Sequence, residues 1–148
     1  MLDTRQHDLR RAHLRVTPGR LAILAALGRH PHSTADALHR LVKDARPSLS
    51  LQSVYNVLGD LDEAGLVRRI EPAGSAALYE LSVDDNHHHI VCTNCSAVAD
   101  VECIHGEAPC LEPRDASGYL VSAAEVTFWG ICPDCQHLQD DANQKEKK

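Results

Sequence analysis

The chain has 148 residues, enough for one or two small domains, and its formal net charge is −6. Residues 1–75 carry 11 Lys/Arg and 8 Asp/Glu, whereas residues 76–148 carry 4 and 13. No apolar run is long enough to span a bilayer and the N-terminus lacks a signal-peptide core, so we expect a cytoplasmic protein with no membrane role. The basic first half indicates contact with phosphate and the acidic second half indicates cation binding, although charge can also segregate between two domains by chance.

Three segments of the first half have the apolar spacing of amphipathic helices, and each follows a hydroxyl residue that can cap it. In the second segment we expect Leu38, Leu41 and Val42 to point inward. Gly65 is a natural residue to end the third segment. The predicted helices are 18–29 after Thr17, 34–45 capped by Ser33 or Thr34, and 51–64 after Ser50.

Two short alternating runs follow the third helix. Residues 66–70 and 77–81 flank a glycine-containing turn at 73–75, a pattern that predicts a β-hairpin. Three helices followed by a hairpin is the order of a winged helix-turn-helix domain, here 1–82. In that arrangement the third helix enters the major groove of double-stranded DNA.

The third predicted helix has side chains suited to DNA on the faces that its apolar residues leave open. Gln and Asn pair with base edges, Ser binds phosphate, and Tyr can do both. Two arginines flank the start of the first predicted helix, where they can hold the DNA backbone or a minor groove. Solvated surface charge is the alternative for each arginine, and partial core packing is the alternative for the tyrosine. The candidate DNA contacts are Arg15, Arg20, Gln52, Ser53, Tyr55 and Asn56.

The second half begins after a polar, turn-prone hinge at 83–86. Segments 97–103 and 119–131 have strand character. The resulting domain, 87–138, is too small to bury both faces of a sheet, so pairing with a second copy is expected. The tail 139–148 is predicted to be disordered. The predicted fold class is therefore α+β: a winged helix-turn-helix domain and then a small α/β dimerisation domain.

Two Cys-x-x-Cys pairs, separated by 36 intervening residues, lie in this second half. In a reducing compartment such pairs indicate metal rather than disulfides, and four thiolates complete the tetrahedral shell of a structural Zn²⁺. Cys103 and Cys110 lie outside both pairs and are either a redox pair or ordinary buried thiols. The predicted zinc ligands are Cys92, Cys95, Cys132 and Cys135.

Histidines directly before the first cysteine pair are surplus to a closed four-cysteine shell, so they indicate a second metal site. His87 and His89 alternate, which places them on the same side of an extended strand. Glu80, Asp100 and His32 are further candidates. Mixed imidazole and carboxylate ligands suit Fe²⁺ or Mn²⁺, and Zn²⁺ less selectively.

Five motifs occur in unbroken order along the chain. They are Val16-Thr17-Pro18-Gly19-Arg20, Ser53-Val54-Tyr55-Asn56-Val57-Leu58, Glu63-Ala64-Gly65-Leu66-Val67, His87-x-His89-x-x-Cys92-x-x-Cys95 and Cys132-x-x-Cys135. Together they resemble the ferric uptake regulator family over residues 8–137. The resemblance implies a structural zinc on the four cysteines, and a regulatory Fe²⁺ or Mn²⁺ on His32, Glu80, His87, His89 and Asp100. It also implies a homodimer that represses transcription at a palindromic operator.

Within the family, Asp100 and Asn56 resemble the peroxide-responsive branch, whereas Glu80 stands where peroxide sensors commonly have Asp. The resemblance therefore predicts a peroxide sensor in which a histidine ligand, His32 or His87, becomes oxidised. An iron-concentration-sensing uptake repressor is the alternative within the family. Two alternatives lie outside it: a non-haem iron oxygenase built on two histidines and a carboxylate, and a zinc-stabilised interaction module. No enzymatic activity is expected.

Overall fold

The computed structural model describes residues 2–82, 87–103 and 111–146. The chain forms two compact units, Met1–Val83 and Asp84–Lys148. The predicted hinge 83–86 and Cys110 lie outside the described residues. Within those residues, no helix combines the length and the apolar character needed to cross a membrane.

The first unit is a winged helix-turn-helix domain, which confirms the predicted fold class. Its two strands pair antiparallel, with a register that runs from Val67 opposite Leu81 to Ile70 opposite Leu78. Its elements in chain order are α1 (Leu2–Arg11), α2 (Pro18–Leu27), α3 (Ala35–Val42), α4 (Leu51–Glu63), β1 (Val67–Ile70) and β2 (Leu78–Leu81).

Local chemistry explains where the three predicted helices begin and end. Thr17, Thr34 and Ser50 each accept a hydrogen bond from the backbone N–H three residues later, which satisfies a donor that the helix cannot pair. Helix α4 stops at Ala64, and Gly65 then takes a left-handed conformation with φ of +70° that a glycine adopts without strain.

The apolar core of this unit lies between the helices and β1. Leu41, predicted to point inward, is 48% exposed, because α3 ends one residue later and the core is already closed by Leu38 and Val42. Helix α1 is an element that the sequence did not predict. It supplies Leu9, and one buried side chain leaves no periodic pattern to detect. The largest fully buried side chains are Leu9, Ile23, Leu27, Leu38, Val54, Leu58 and Leu61.

The second unit contains a three-stranded sheet in the order β4-β3-β5, followed by a helix. Strand β3 pairs antiparallel with β4 and parallel with β5. Strand β4 lies within the predicted segment 97–103, whereas β5 occupies only the end of 119–131. The elements are β3 (His87–Cys92), β4 (Val98–Glu102), β5 (Thr127–Gly130) and α5 (Pro133–Glu146).

Helix α5 extends to Glu146 and so includes residues 139–146 of the tail that the sequence predicts to be disordered. Pro133 suits the first position of a helix, and Asp134 complements the helix dipole in the first turn. Once a helix has started, each added residue costs little, and 139–146 contains no Gly or Pro to stop it. The polar side chains of residues 139–146 cannot form an apolar core, but they can continue a helix.

Candidate metal centres and nucleic-acid interface

The four cysteines of the two Cys-x-x-Cys pairs come together in the second unit. Cys92 ends β3, and Cys135 lies in the first turn of α5. All four Sγ atoms lie within 4.8 Å of one another, and those of Cys95 and Cys132 are 3.6 Å apart. A tetrahedral zinc–thiolate shell with bonds of about 2.3 Å separates its sulfurs by about 3.8 Å, so the cluster has the size of such a shell.

Hydrogen bonds within the cluster make its thiols unequal. The backbone N–H groups of Cys132 and Cys95 donate to the sulfur of Cys92, the former over 3.3 Å, and they lower the pKa of Cys92 to about 6. The Asn94 amide donates to the sulfur of Cys135 over 3.3 Å and lowers its pKa, but the hydrogen bond with Cys132 and burial outweigh this and raise it to about 12. Several thiolates at this spacing therefore need a cation beside them.

A histidine and a carboxylate meet in the first unit. Ser33 and Tyr79 exchange backbone hydrogen bonds of 3.2 and 2.9 Å, which hold the segment before α3 against β2. As a result, His32 Nε2 lies 3.1 Å from the Oε2 atom of Glu80, whose side chain is buried. The other oxygen, Oε1, lies 3.5 Å from Arg68 Nη1. The pairing of Arg68 with Glu80 was not predicted, although the hairpin register places the two residues opposite each other.

His32 has an unusual backbone conformation. Its φ is +56°, in the left-handed region that residues with a side chain seldom occupy. Such strain persists where the surrounding structure enforces it, and the paired backbone of Ser33 does so here. In this conformation the imidazole of His32 lies against the carboxylate of Glu80.

Two further histidines and a carboxylate meet in the second unit. His89 on β3 lies opposite Asp100 on β4, and their Nε2 and Oδ1 atoms are 3.5 Å apart. His87 Nε2 lies 3.7 Å from the same oxygen, and the two imidazole rings are 5.0 Å apart between centroids. His88 instead contacts the ring of Phe128 at a centroid distance of 6.5 Å. His87 and His89 thus present ring nitrogens to one carboxylate oxygen, which is a suitable donor set for a divalent ion.

Helix α4 presents polar side chains to solvent. Gln52, Tyr55 and Asn56 are exposed, and the Gln52 amide donates to Asn56 Oδ1 over 3.0 Å. Ser53 is half-buried, and its hydroxyl is 2.9 Å from that of Ser50. Side-chain amides of this kind can pair with base edges in a major groove.

The two arginines near the start of α2 have different surroundings. Arg15 is exposed, whereas the side chain of Arg20 is only 15% exposed. Arg20 donates from Nη1 to the Arg15 carbonyl oxygen over 2.8 Å and from Nη2 to Asp60 Oδ2 over 2.6 Å. The sequence analysis missed Asp60, and no local pattern could have found it, because it lies 40 residues from Arg20.

Comparisons with known proteins agree with this architecture. The profile of the ferric uptake regulator family matches residues 11–128. The chain is 54% identical over 128 residues to the transcriptional regulator FurA of Mycobacterium tuberculosis, covering 86% of this chain and 87% of that protein. It is 51% identical over 131 residues to ferric uptake regulation protein 1 of Mycolicibacterium fortuitum, covering 88% and 81% of the two chains.

Solved structures are similar as well. The Vibrio cholerae ferric uptake regulator has a TM-score of 0.66 at 26% identity, covering 86% of this chain and 98% of that one. The Campylobacter jejuni peroxide stress regulator has a TM-score of 0.63 at 28% identity, covering 91% and 98%. The sequence relatives are named as regulators and not as enzymes, which favours regulation over the oxygenase alternative. The chain therefore belongs to the ferric uptake regulator family and is a metal-responsive transcriptional regulator.

Proposed function

We propose that the protein is a homodimeric DNA-binding repressor that requires a regulatory Fe²⁺ or Mn²⁺ and senses peroxide through oxidation of a histidine ligand. The observation that carries this proposal is the division of metal donors between the two units. The first unit offers His32 and Glu80, and the second offers His87, His89 and Asp100.

The four-cysteine cluster is the proposed structural Zn²⁺ site. Its size supports a closed tetrahedral shell, and such a shell leaves no position for a substrate or a signal. We expect this ion to stabilise the second unit by joining the end of β3 to the start of α5. Thiolate ligands require reduced cysteines, which favours the cytoplasm.

The regulatory ion is proposed to bind all five donors, His32, Glu80, His87, His89 and Asp100. The three donors of the second unit would leave open positions in the shell that Fe²⁺ or Mn²⁺ prefers, and His32 and Glu80 of the first unit are proposed to fill them. The shared ion then restricts the segment between the two units. To move the ratio of closed to open protein from 1:99 to 99:1, the ion must bind the closed form about 10⁴-fold more tightly than the open form.

A dimer is supported by apolar side chains that the second unit exposes. Tyr119, Leu120 and Leu138 are largely solvent-exposed, and Phe128 and Trp129 on β5 are about half exposed. Exposed apolar side chains in this number are typical of an interaction surface, and a second copy of the chain would cover them. A two-fold dimer presents two α4 helices, one for each half-site of a palindromic operator.

The proposed DNA contacts follow from the exposure of α4. Gln52, Tyr55 and Asn56 are proposed to reach base edges, and Ser53 and Arg15 to reach the backbone. The ion acts at a distance from these residues. It sets the separation of the two helices, so metal controls whether both half-sites can be engaged at once.

Peroxide is proposed to inactivate this arrangement permanently. Bound Fe²⁺ would supply the one-electron chemistry that cleaves the O–O bond of H₂O₂, and it would regain its electron when the attacked imidazole is oxidised, so that the imidazole provides both electrons that the peroxide takes up. The imidazole of His32 or His87 gains one oxygen atom, and the second oxygen of the peroxide leaves as water. Both histidines are largely buried, so the damage falls on a residue held beside the ion rather than on exposed histidines. An oxidised imidazole binds metal less well, the dimer loses its closed form, and repression ends.

The function can be tested with a duplex enriched from a random pool by the Mn²⁺-loaded protein, called the selected duplex. Fluorescence anisotropy should show tight binding with Mn²⁺ or Fe²⁺ and loss of binding with a chelator that leaves zinc in place. A brief exposure to H₂O₂ should abolish binding by the Fe²⁺ form only. Binding that ignores the regulatory metal would overturn the proposal.

An iron-concentration-sensing uptake repressor is the second candidate, and the name of the relative from Mycolicibacterium fortuitum favours it. It requires the same donors and the same dimer. The two candidates differ in one result: in the iron-sensing case, the Fe²⁺ and Mn²⁺ forms should survive the peroxide exposure equally.

A further inference from the structure

The guanidinium group of Arg20 joins two parts of the proposed DNA-binding surface. Through Nη2 it contacts Asp60 on α4 at 2.6 Å, and through Nη1 it holds the backbone carbonyl of Arg15 at 2.8 Å. Arg15 lies two residues before Thr17, the N-cap of α2. The helix proposed to read the major groove and the arginine proposed to reach the backbone are thus connected through one side chain.

The surroundings of Arg20 argue against direct contact with DNA. Its side chain is 15% exposed, and its Nη1 and Nη2 atoms both donate to oxygens of the protein. A phosphate would have to displace a carboxylate that already makes a short, charge-assisted hydrogen bond. Arg15, by contrast, is exposed and has its backbone fixed by this contact.

We infer that Asp60 and Arg20 are positioning residues that fix Arg15 relative to α4, so that an acidic side chain on the recognition helix is required for recognition of DNA. The inference rests on the proposed DNA-binding function and specifies how that surface is organised. It replaces the predicted direct contact of Arg20 with an indirect role.

Fold stability alone does not account for the arrangement. The Asp60 side chain is 48% exposed, and ion pairs with such exposure add little to stability. A bridge of this geometry has a larger effect on orientation, because the planar guanidinium defines two donor directions at once. Its loss should therefore reduce discrimination between DNA sequences more than it reduces folding.

The test compares Asp60→Asn with Asp62→Asn in the full-length, Mn²⁺-loaded protein. Asp62 is also exposed on α4, and the variants change charge equally. The two positions point about 200° apart around the helix, and the charge of Asp62 acts on Tyr79 instead. Binding is measured by anisotropy on the selected duplex and on a shuffled duplex of the same composition, at several salt concentrations.

Asp60→Asn should lose about tenfold in affinity for the selected duplex, as expected when one contact is misplaced, and keep its affinity for the shuffled duplex. Asp60→Glu, which retains the carboxylate, should restore most of the loss. Asp62→Asn should match wild type on both duplexes. Thermal unfolding of Asp60→Asn within a few degrees of wild type would show that the loss does not come from the fold.

Salt dependence separates positioning from contact. Replacing a residue that contacts phosphate reduces the slope of log affinity against log salt by about 0.9. Arg15→Gln should show that reduction. Arg20→Gln should instead lose affinity for the selected duplex with its slope unchanged, because Arg15 keeps its charge and still reaches a phosphate, although no longer the one in register with α4. A reduced slope for Arg20→Gln would assign Arg20 to phosphate and overturn the inference.

Three other results would also overturn it. If Asp60→Asn binds both duplexes more tightly with a steeper slope, Asp60 shields Arg20 from DNA instead of positioning Arg15. If Asp60→Asn and Asp62→Asn behave alike, the bridge has no role in recognition. If wild-type protein binds neither duplex with metal present, the proposed DNA-binding function fails and the inference fails with it, which is a distinguishable outcome.

Discussion

Replacing Glu80 with Gln tests whether a buried carboxylate of the first unit belongs to the regulatory site. The amide preserves the shape of the side chain and removes its charge. Because Glu80 is 4% exposed, solvent cannot compensate for the loss of its negative charge. Arg68 is 34% exposed and stays hydrated, which limits the loss in free energy of unfolding to about 1 kcal/mol.

The effect on metal binding should be larger. Mutating even the outer partners of a metal site costs up to about 100-fold in affinity, so we expect at least about 100-fold for a direct ligand, or about 2.8 kcal/mol. If the full site favours the closed dimer by about 10⁴-fold, a factor of about 100 remains. A preference of about 100-fold moves the ratio of closed to open dimers from 1:99 only to about 1:1, so half of the dimers should stay open even at saturating Mn²⁺.

The assay is a Mn²⁺ titration of the zinc-loaded protein by calorimetry, followed by anisotropy on the selected duplex. Glu71→Gln is the matched control, because Glu71 is a 63% exposed carboxylate beyond the end of β1 that pairs with Arg69. It undergoes the same chemical change without touching His32. If Glu80→Gln binds Mn²⁺ within a factor of about three of Glu71→Gln, Glu80 is not a ligand and the reasoning is refuted.

Three further predictions concern stability. Leu58→Ala should lower the free energy of unfolding of the first unit by about 2–5 kcal/mol in urea denaturation, because Leu58 is fully buried, whereas Leu41→Ala should change it by less than about 1 kcal/mol. Cys135→Ser should release zinc, as measured with a chromogenic chelator, and a protein that retains the ion would contradict the four-thiolate shell. Gly65→Ala should destabilise the fold by about 1–2 kcal/mol, because Gly65 has a positive φ. Gly59→Ala should stabilise it by about 0.5–1 kcal/mol, because Gly59 lies in a helix with open space around it. Equal effects of the two substitutions in thermal unfolding would contradict this assignment.

The sequence predicted those elements whose signals are local. Hydroxyl caps at Thr17, Thr34 and Ser50 and the glycine at Gly65 lie within a few residues of the helices that they delimit, so the winged domain could be derived before its structure was known. Helix α5 could not, because its polar continuation depends on a helix already started at Pro133.

The second predicted strand region was too long for a related reason. Residues 119–131 are rich in apolar side chains, yet only β5 pairs with the sheet, and Leu120 is almost fully exposed. Strand propensity reflects a fit to a half-buried surface and does not specify which partner supplies it. A sequence read as a single chain cannot separate a strand of its own sheet from apolar surface that a second copy could cover.

The sites show the same division between local and distant signals. Cysteine spacing predicted a cluster that the structure brings together, because each pair is a local motif. The contact of Arg68 with Glu80 could be derived from hairpin register. The bridge from Arg20 to Asp60 joins residues that become neighbours only when α2 packs against α4, so it required the structure.

The most direct test of the account is peptide mass spectrometry on the Fe²⁺-loaded protein before and after a brief, low dose of H₂O₂, with the Mn²⁺-loaded protein treated in parallel. The account predicts one added oxygen on the peptide that contains His32 or on the peptide that contains His87 and His89, in the Fe²⁺ form only, together with loss of binding to the selected duplex. Unmodified histidine peptides in a protein that still binds the duplex would contradict peroxide sensing.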